Sequence, residues 1–416
     1  MGRGRWQGSI ASLSGGAQSP RTYNKPMKVL IAPNAFKGTL TAAAAADAMT
    51  AGVARAFPDA QVVKAPVADG GDGTLDVLVG ATHGRFVAMV ATGPLGRKVQ
   101  ASWGVLGPPS EGVAMVEAAQ ACGRALLRDD ELDPFAATSR GVGELVRAAL
   151  DASHRRIIVG VGGTATNDGG AGMAQALGAR LLDTAGNELP PGGGALARLA
   201  RINLRGLDSR VASCELTVAA DVSNPLCGPM GAAQTYGRQK FRQEMPPPGA
   251  LEQLDQALAR LDQVVRVQLG RSVGHLPGAG AGGGLGAGLV AFLGARVVSG
   301  AELACDLAGI DAALQGADLV LTGEGRLDWQ TAFGKAPGVV ARRAAARGVP
   351  VVGVGGALGA GYEALYGAGF AALGAIVHGA VRLEEAMRNP ARLLAEATER
   401  VVRVWKLSAG TRGATS

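Results

Sequence analysis

The sequence predicts an α/β protein in which a parallel sheet is assembled from both chain ends and a second α/β unit is inserted between them. Three observations carry this. Near both ends, short and wholly apolar runs alternate with helix-like stretches, the pattern of a parallel sheet covered on both faces. In the middle, runs that alternate apolar and polar residues flank Gly-Pro turns, as in antiparallel pairs. Finally, 416 residues with 47% hydrophobic and 18% charged side chains can bury large sheets and exceed what one ordinary core holds.

Lys28–Ala32 (KVLIA) reads as a buried strand, and the alanine-rich Thr41–Phe57 after it has helix composition. Gln61–Ala65 is the next strand. Gly84–Leu106 holds two alternating strands around ATGPLGR, with Gly93-Pro94 and Gly96 marking the turn, and Val113–Glu117 is a third. Arg140–Ala152 reads as a helix, Ile157–Val161 as a strand, and Gly170–Leu182 as a helix leading to a Gly- and Pro-rich loop over 186–194. Pro246-Pro247-Pro248 breaks the chain before a helix over Leu251–Leu269. DLVLTGEG (Asp318–Gly325), PVVGVGG (Pro350–Gly356) and AALGAIV (Ala371–Val377) are further apolar runs, and Leu383–Trp405 is a final helix. This order predicts a Rossmann-like domain over 27–65 and 293–406, with the inserted domain over 66–292. Residues 1–26 read as a disordered basic leader and 407–416 as a disordered tail.

The net charge of +7 is a property of those ends. Residues 1–26 carry Arg3, Arg5, Arg21 and Lys25 without one acid, and Lys406 and Arg412 add two more, which leaves the body near +1. Aromatics at 4% are too scarce for platforms that stack single-stranded nucleic acid. The leader lacks the apolar core of a secretory signal. No apolar run reaches the ~18 residues of a membrane span, since Arg296 interrupts LGAGLVAFLGARVV. Cys122, Cys214, Cys227 and Cys305 form no CxxC pair, and the four histidines show no HExxH spacing, which removes support for zinc, haem or a disulfide framework. The expectation is a soluble, cytoplasmic monomer or homodimer with no nucleic-acid or membrane partner.

Five polar, glycine-flanked clusters stand at the ends of expected strands: APNAFKGT (32–39), PVADGGDGT (66–74), GGTATNDGG (162–170), AADVSNPLCG (219–228) and TGEGRLDWQTAFGK (322–335). Ligands of open α/β sheets bind outside the carboxyl ends of strands, so the clusters point to one composite site. Asp69, Asp72, Asp168, Asp221, Glu324 and Asp328 all fall in such turns, where a carboxylate serves as a Mg²⁺ ligand, as a base for a hydroxyl proton, or only as a turn cap. Lys37 and Lys335 are placed to meet an anion. A separate run, PGAGAGGGLGAG (277–288), offers amides without Cβ atoms and so a polyphosphate cradle, though Gly-rich turns of structural purpose are as common. It is no Walker A loop, and its GxGxxG spacing at Gly278, Gly280 and Gly283 is at chance level in so glycine-rich a run. Acids for metal, amides for phosphate and lysines for an anion are the parts of phosphoryl transfer to a small anion.

Taken together, APNAFKGTL, PVADGGDGT, VGGTATNDGGAGM, ADVSNPLCGPMGA, PGAGAGGGLGAG and LTGEGRLDWQTAFGKAP resemble the bacterial-type glycerate kinase family over about Lys28 to Trp405. The resemblance implies ATP-dependent phosphorylation of D-glycerate, usually to the 2-phospho isomer, with Mg²⁺, in a cleft between two α/β domains. The first family motif usually reads Ala-Pro-Asp-Ser-Phe-Lys, and this chain has Asn34 and Ala35 in place of the acid and hydroxyl. The expected roles are Asp168, Lys37 and Asn167 in catalysis, with Asp168 as the base, and Asp69, Asp72, Thr166, Asp221 and Asn224 on substrate. Nucleotide falls to Gly280, Gly282, Gly283, Gly284, Thr322, Gly323, Thr331 and Lys335, and metal to Glu324 and Asp328. Transfer to the 3-hydroxyl or to another hydroxy acid, nicotinamide-dependent oxidation and a non-catalytic sugar-acid regulator stand as alternatives.

Overall fold

The computed structural model of the chain describes residues 26–377 and 382–411. The first strands are β1 (Lys28–Ile31), β2 (Gln61–Lys64), β3 (Arg85–Thr92), β4 (Lys98–Val105) and β5 (Val113–Glu117). Next come β6 (Arg156–Gly160), β7 (Arg180–Leu182), β8 (Arg201–Asn203), β9 (Glu215–Ala220) and β10 (Arg296–Ser299). The last are β11 (Leu319–Thr322), β12 (Arg326–Leu327), β13 (Val351–Gly355), β14 (Ala357–Leu358) and β15 (Ala372–Ala375).

Chain ends build a five-stranded sheet in the order β15-β13-β11-β1-β2, parallel throughout. Successive side chains of a strand point to opposite faces, and here both faces are covered. Val29, Ile31, Leu319, Leu321, Val352 and Val354 pack with Met49, Val53, Leu394 and Val402 on one side. Leu30, Val320 and Val351 pack with Cys305, Ile310, Val339 and Val340 on the other. That two-sided burial is why the runs read as continuously apolar. The helix Ala42–Ala56 opens on Thr41, whose hydroxyl accepts the Ala44 amide at 3.1 Å, a cap that supplies a partner to one of the free amides of the first turn.

The middle of the chain builds a six-stranded sheet in the order β10-β9-β6-β5-β4-β3. β10, β9, β6 and β5 are parallel, while β4 and β3 run antiparallel as the alternating pattern implied. Four expectations are corrected. The helix after Gly170 is short, Ala171–Ala176, and Arg180–Leu182 forms β7 against β8; Gly178, at φ +102°, ends it. Arg296–Ser299 pairs with Thr217–Ala220, so the second sheet extends past the boundary placed at 293. Asn389-Pro390 divides the last helix into Leu383–Arg388 and Pro390–Thr411, because proline cannot donate within a helix and is tolerated at its first turn. That helix also carries order to Thr411; the leader 1–25 and residues 412–416 lie outside the described residues.

The chain passes between the two sheets twice, after β2 through Ala65–Gly73 and after β10 through the helix Gly300–Leu307. The two passages touch. A Cβ on Gly300 would lie 2.6 Å from the Asp69 carbonyl oxygen. Ser299 caps the second helix by accepting the Glu302 amide at 3.2 Å, and Arg343 ties that helix to the first sheet through Glu302 and Asp306.

Candidate functional site

At this double passage the carboxyl ends of β1, β2, β9 and β11 meet. Lys37 follows β1, Asp69 and Asp72 follow β2, Asp221 follows β9 and Glu324 follows β11. The loops are fixed to one another by backbone and side-chain bonds. The Asn34 amide donates to the Gly323 carbonyl at 2.8 Å, and Asn34 Nδ2 donates to Asp69 Oδ2 at 3.1 Å. Asp69 Oδ1 accepts from the Gly71 amide at 3.2 Å. The departure at position 34 thus has a local effect: a neutral amide donor faces Asp69 where an acid would have repelled it.

Burial holds the Asp221 carboxyl well above the ordinary range, and the Asp69 charge adds to that while Lys37 opposes it. Asp221 Oδ1 accepts the Ala301 amide at 2.8 Å, but Oδ2 is buried without a partner in the protein. An unpartnered buried oxygen is expensive, which makes this atom a candidate contact for a ligand. Glu324, only 6% exposed, is likewise raised by burial, against the pull of Lys335 and Lys37. Thr331 donates to its Oε1 at 2.7 Å, and Lys335 Nζ lies 3.7 Å from Oε2. Lys37 and Asp72 stand at the rim, where partial burial still raises the Asp72 carboxyl and Lys37 pulls against that rise.

The loop after β6 is different. Asp168 is fully buried, and its carboxylate accepts from the Ser139 amide (2.7 Å), the Ser139 hydroxyl (2.9 Å), the Gly170 amide (3.1 Å) and the Gly172 amide (3.2 Å), with Thr138 at 3.5 Å. So enclosed, the carboxylate fastens the loop to the start of the helix Arg140–Asp151, an arrangement that speaks against its expected role as base. Thr166 is buried beside it and Asn167 is fully enclosed, with both side-chain polar atoms unpartnered. The sequence reading missed Lys240, a buried lysine whose Nζ donates to the Thr166 carbonyl at 2.6 Å. Burial lowers its pKa to about 8.

The glycine run is also internal. Gly282, Gly283 and Gly284 have φ of +63°, +70° and +87° inside the helix Ala281–Leu293. Gly280, Gly283 and Gly284 are buried, and a Cβ on them would collide with the Pro225 carbonyl, the Thr166 carbonyl and the Leu226 side chain. Glycine is needed there for close approach between loops, a structural reason that stands beside the expected nucleotide cradle. Asn224 is satisfied within its own loop, donating to the Met230 carbonyl (2.8 Å) and accepting from Tyr236 (2.6 Å). Asp328 caps the short helix Trp329–Ala332 through the Gln330 amide at 3.0 Å. Thr322 donates to the Ala32 carbonyl at 2.7 Å, and Gly323 is buried against Val354. Of the expected residues, Lys37, Asp69, Asp72, Asp221 and Glu324 converge, with Thr331 and Lys335 behind Glu324.

Among the described residues no three Asp, Glu, His or Cys side chains are close enough to hold an ion by themselves. Mg²⁺ is commonly bound through one or two carboxylates together with substrate phosphates and water. The hard oxygens of Asp69 and Glu324 fit an ion that arrives with a nucleotide. Two cavities lie elsewhere, one lined by Arg156, Glu215 and Arg296 and one by Lys98, Thr138 and Arg140. Neither cavity includes a residue of the acid cluster. Among the described residues, no helix is long and apolar enough to cross a membrane.

A parallel α/β frame with acids and lysines gathered at its strand ends defines a small-molecule kinase, and comparison with known proteins bears on which one. The model of the glycerate kinase family matches residues 29–406. Glycerate kinase from Bacillus subtilis (strain 168) is 46% identical over 368 residues, 88% of this chain and 95% of that protein. Glycerate 2-kinase from Escherichia coli (strain K12) is 42% identical over 363 residues, 87% of this chain and 94% of that protein. The crystal structure of a protein assigned as glycerate kinase 2 from Salmonella typhimurium LT2 superposes with a TM-score of 0.77 at 42% identity, covering 93% of this chain and all of that one. The chain belongs to the glycerate kinase family.

Proposed function

We propose that this kinase transfers the terminal phosphoryl group of Mg²⁺-bound ATP to the 2-hydroxyl of D-glycerate, giving 2-phosphoglycerate and ADP. The observation that carries the reading is the unpartnered Asp221 Oδ2 in a cluster fed by strand ends of both sheets. Support for the 2-isomer comes from the 42% identity to glycerate 2-kinase from Escherichia coli.

In this reading the raised Asp221 carboxyl accepts the hydroxyl proton as the oxygen attacks phosphorus and the bond to ADP breaks. Lys37 meets the substrate carboxylate as a point charge. Lys335 faces the triphosphate, and Glu324, oriented by Thr331, contributes an oxygen on the metal side. Bound Mg²⁺ neutralises charge developing on the phosphoryl oxygens. The two sheets are the cores of two domains that close on the cleft and exclude water, in an enzyme of the cytoplasm acting as a monomer or homodimer.

The test is incubation with D-glycerate and Mg²⁺–ATP, with an enolase-coupled readout and separation of the two phosphoglycerates. Turnover abolished by EDTA and yielding the 2-isomer is expected. A 3-phosphoglycerate product would overturn the regiochemistry, and no turnover with D-glycerate would overturn the acceptor.

A further inference from the structure

Glu117 ends β5 and is 3% exposed, yet no motif contains it. Its Oε1 accepts from the Gly73 amide at 3.2 Å and its Oε2 from the Leu75 amide at 2.8 Å. Those amides open the helix Thr74–Ala81, immediately after the segment that carries Asp69 and Asp72. The other side of that segment is backed by bare backbone: the Gly162 amide donates to the Gly70 carbonyl at 3.0 Å, and a Cβ on Gly162 would lie 2.5 Å from the Gly71 Cα. The segment is therefore held from two sides, by one backbone bond at a glycine wall and by two bonds to one carboxylate. The charged groups facing Glu117, Asp72 from the loop and Asp76 from the helix, are both acids, so its partners are amides rather than a cation.

We infer that Glu117 is a positioning residue for the phosphoryl-transfer site, a two-oxygen acceptor that sets the place of the Asp69–Asp72 loop against Lys37 and Asp221. Both of its bonds need an acceptor oxygen. When the carboxyl takes up a proton, one oxygen becomes a donor and faces an amide that is also a donor, so one grip is lost. Burial lifts this carboxyl to about 7 while the Leu75 and Gly73 amides pull it down; an ungripped Glu117 that stays buried holds its proton more tightly, so the ionised form favours the gripped loop and the loop loosens as pH falls below neutrality. The inference rests on the kinase reading given above.

The experiment compares the native enzyme with Glu117→Gln in the D-glycerate assay from pH 5.5 to 8.5, with melting temperatures measured alongside. Native KM for glycerate should rise below pH 7, a readout separate from the acid limb that the raised Asp221 base places on kcat. The variant should show a glycerate KM higher by roughly tenfold to a hundredfold at pH 8, a nearly unchanged KM for ATP, and no further rise of the glycerate KM below pH 7. An unchanged glycerate KM, or a rise below pH 7 that persists in the variant, overturns the inference, as does a uniform loss in every parameter that follows melting temperature. If Glu117→Gln does not fold, hydrogen exchange over residues 69–79 of the native protein decides. Protection corrected for intrinsic rate should drop below pH 7, and constant protection overturns the inference. A native enzyme inactive on glycerate would instead count against the acceptor assignment, a separate failure.

Discussion

Two glycine-and-acid loops that look alike in sequence, ADGGDGT after β2 and GGTATNDGG after β6, have opposite fates in the fold. In the second, every oxygen of Asp168 is supplied from within, by Ser139, Gly170 and Gly172. In the first, Asp69 is only partly supplied and Asp72 stands at the rim, while nearby Asp221 keeps a buried oxygen with nothing attached. The difference teaches that acid and glycine content locate a loop at a strand end, whereas the supply of internal donors decides acid by acid which carboxylate is satisfied, for in the second loop itself the amide of Asn167 is buried without a partner.

The sharpest way to break this contrast is a pair of isosteric changes. Asp221→Asn should lower kcat by about 10²–10⁴ through loss of the base and leave melting temperature unchanged or higher, since an unpaired buried charge is removed. Asp168→Asn should cost about 2–4 kcal/mol of stability, because an amide nitrogen would face backbone donors, while kcat of the folded enzyme stays within about threefold. Steady-state kinetics and thermal denaturation on both variants check the pair. If Asp168→Asn is stable and inactive, the loop after β6 belongs to the chemistry after all.

A smaller effect is expected at Asn34. Asn34→Asp sets a second carboxylate against Asp69 and should destabilise the protein in EDTA by about 1–2 kcal/mol, with Mg²⁺ restoring the loss. Melting curves with and without the ion measure this, and an equal shift in both would place the pair away from the cation.

The smallest effect belongs to Lys240→Met, which removes the buried donor to Thr166 at about 1 kcal/mol and leaves kcat intact. Its signature is in pH. A lysine whose folded pKa is lowered to about 8 binds fewer protons than in the unfolded chain, so native stability should rise as pH climbs from about 8 toward the ordinary lysine value. That rise should be missing in the variant.

Much of the architecture was legible because its signals are local. KVLIA, DLVLT and PVVGVG are apolar on both faces, and that alone implies a covered parallel sheet. The five clusters were found from a related signal, polar residues flanked by glycine or proline at the end of an expected strand, although β9, which precedes AADVSNPLCG, was not itself read. What escaped depended on distant partners. Nothing near Asp168 announces that Thr138 and Ser139 will saturate it. The segment Arg296–Ser299 is too short to show which sheet it joins, and its neighbour Thr217 lies far upstream. Glu117 left one faint mark, a lone acid closing an otherwise wholly apolar buried strand.

The paired passages between the sheets also set the mechanics of the molecule. If one sheet turns against the other, the pivot lies where the chain crosses, at Ala65–Gly73 and Gly300–Leu307. A point near a pivot travels little, and a point far from it sweeps a long arc. Asp69 and Ala301, the latter bonded to Asp221, sit on the pivot itself. Acid geometry at the reacting end should then survive any such turn almost unchanged.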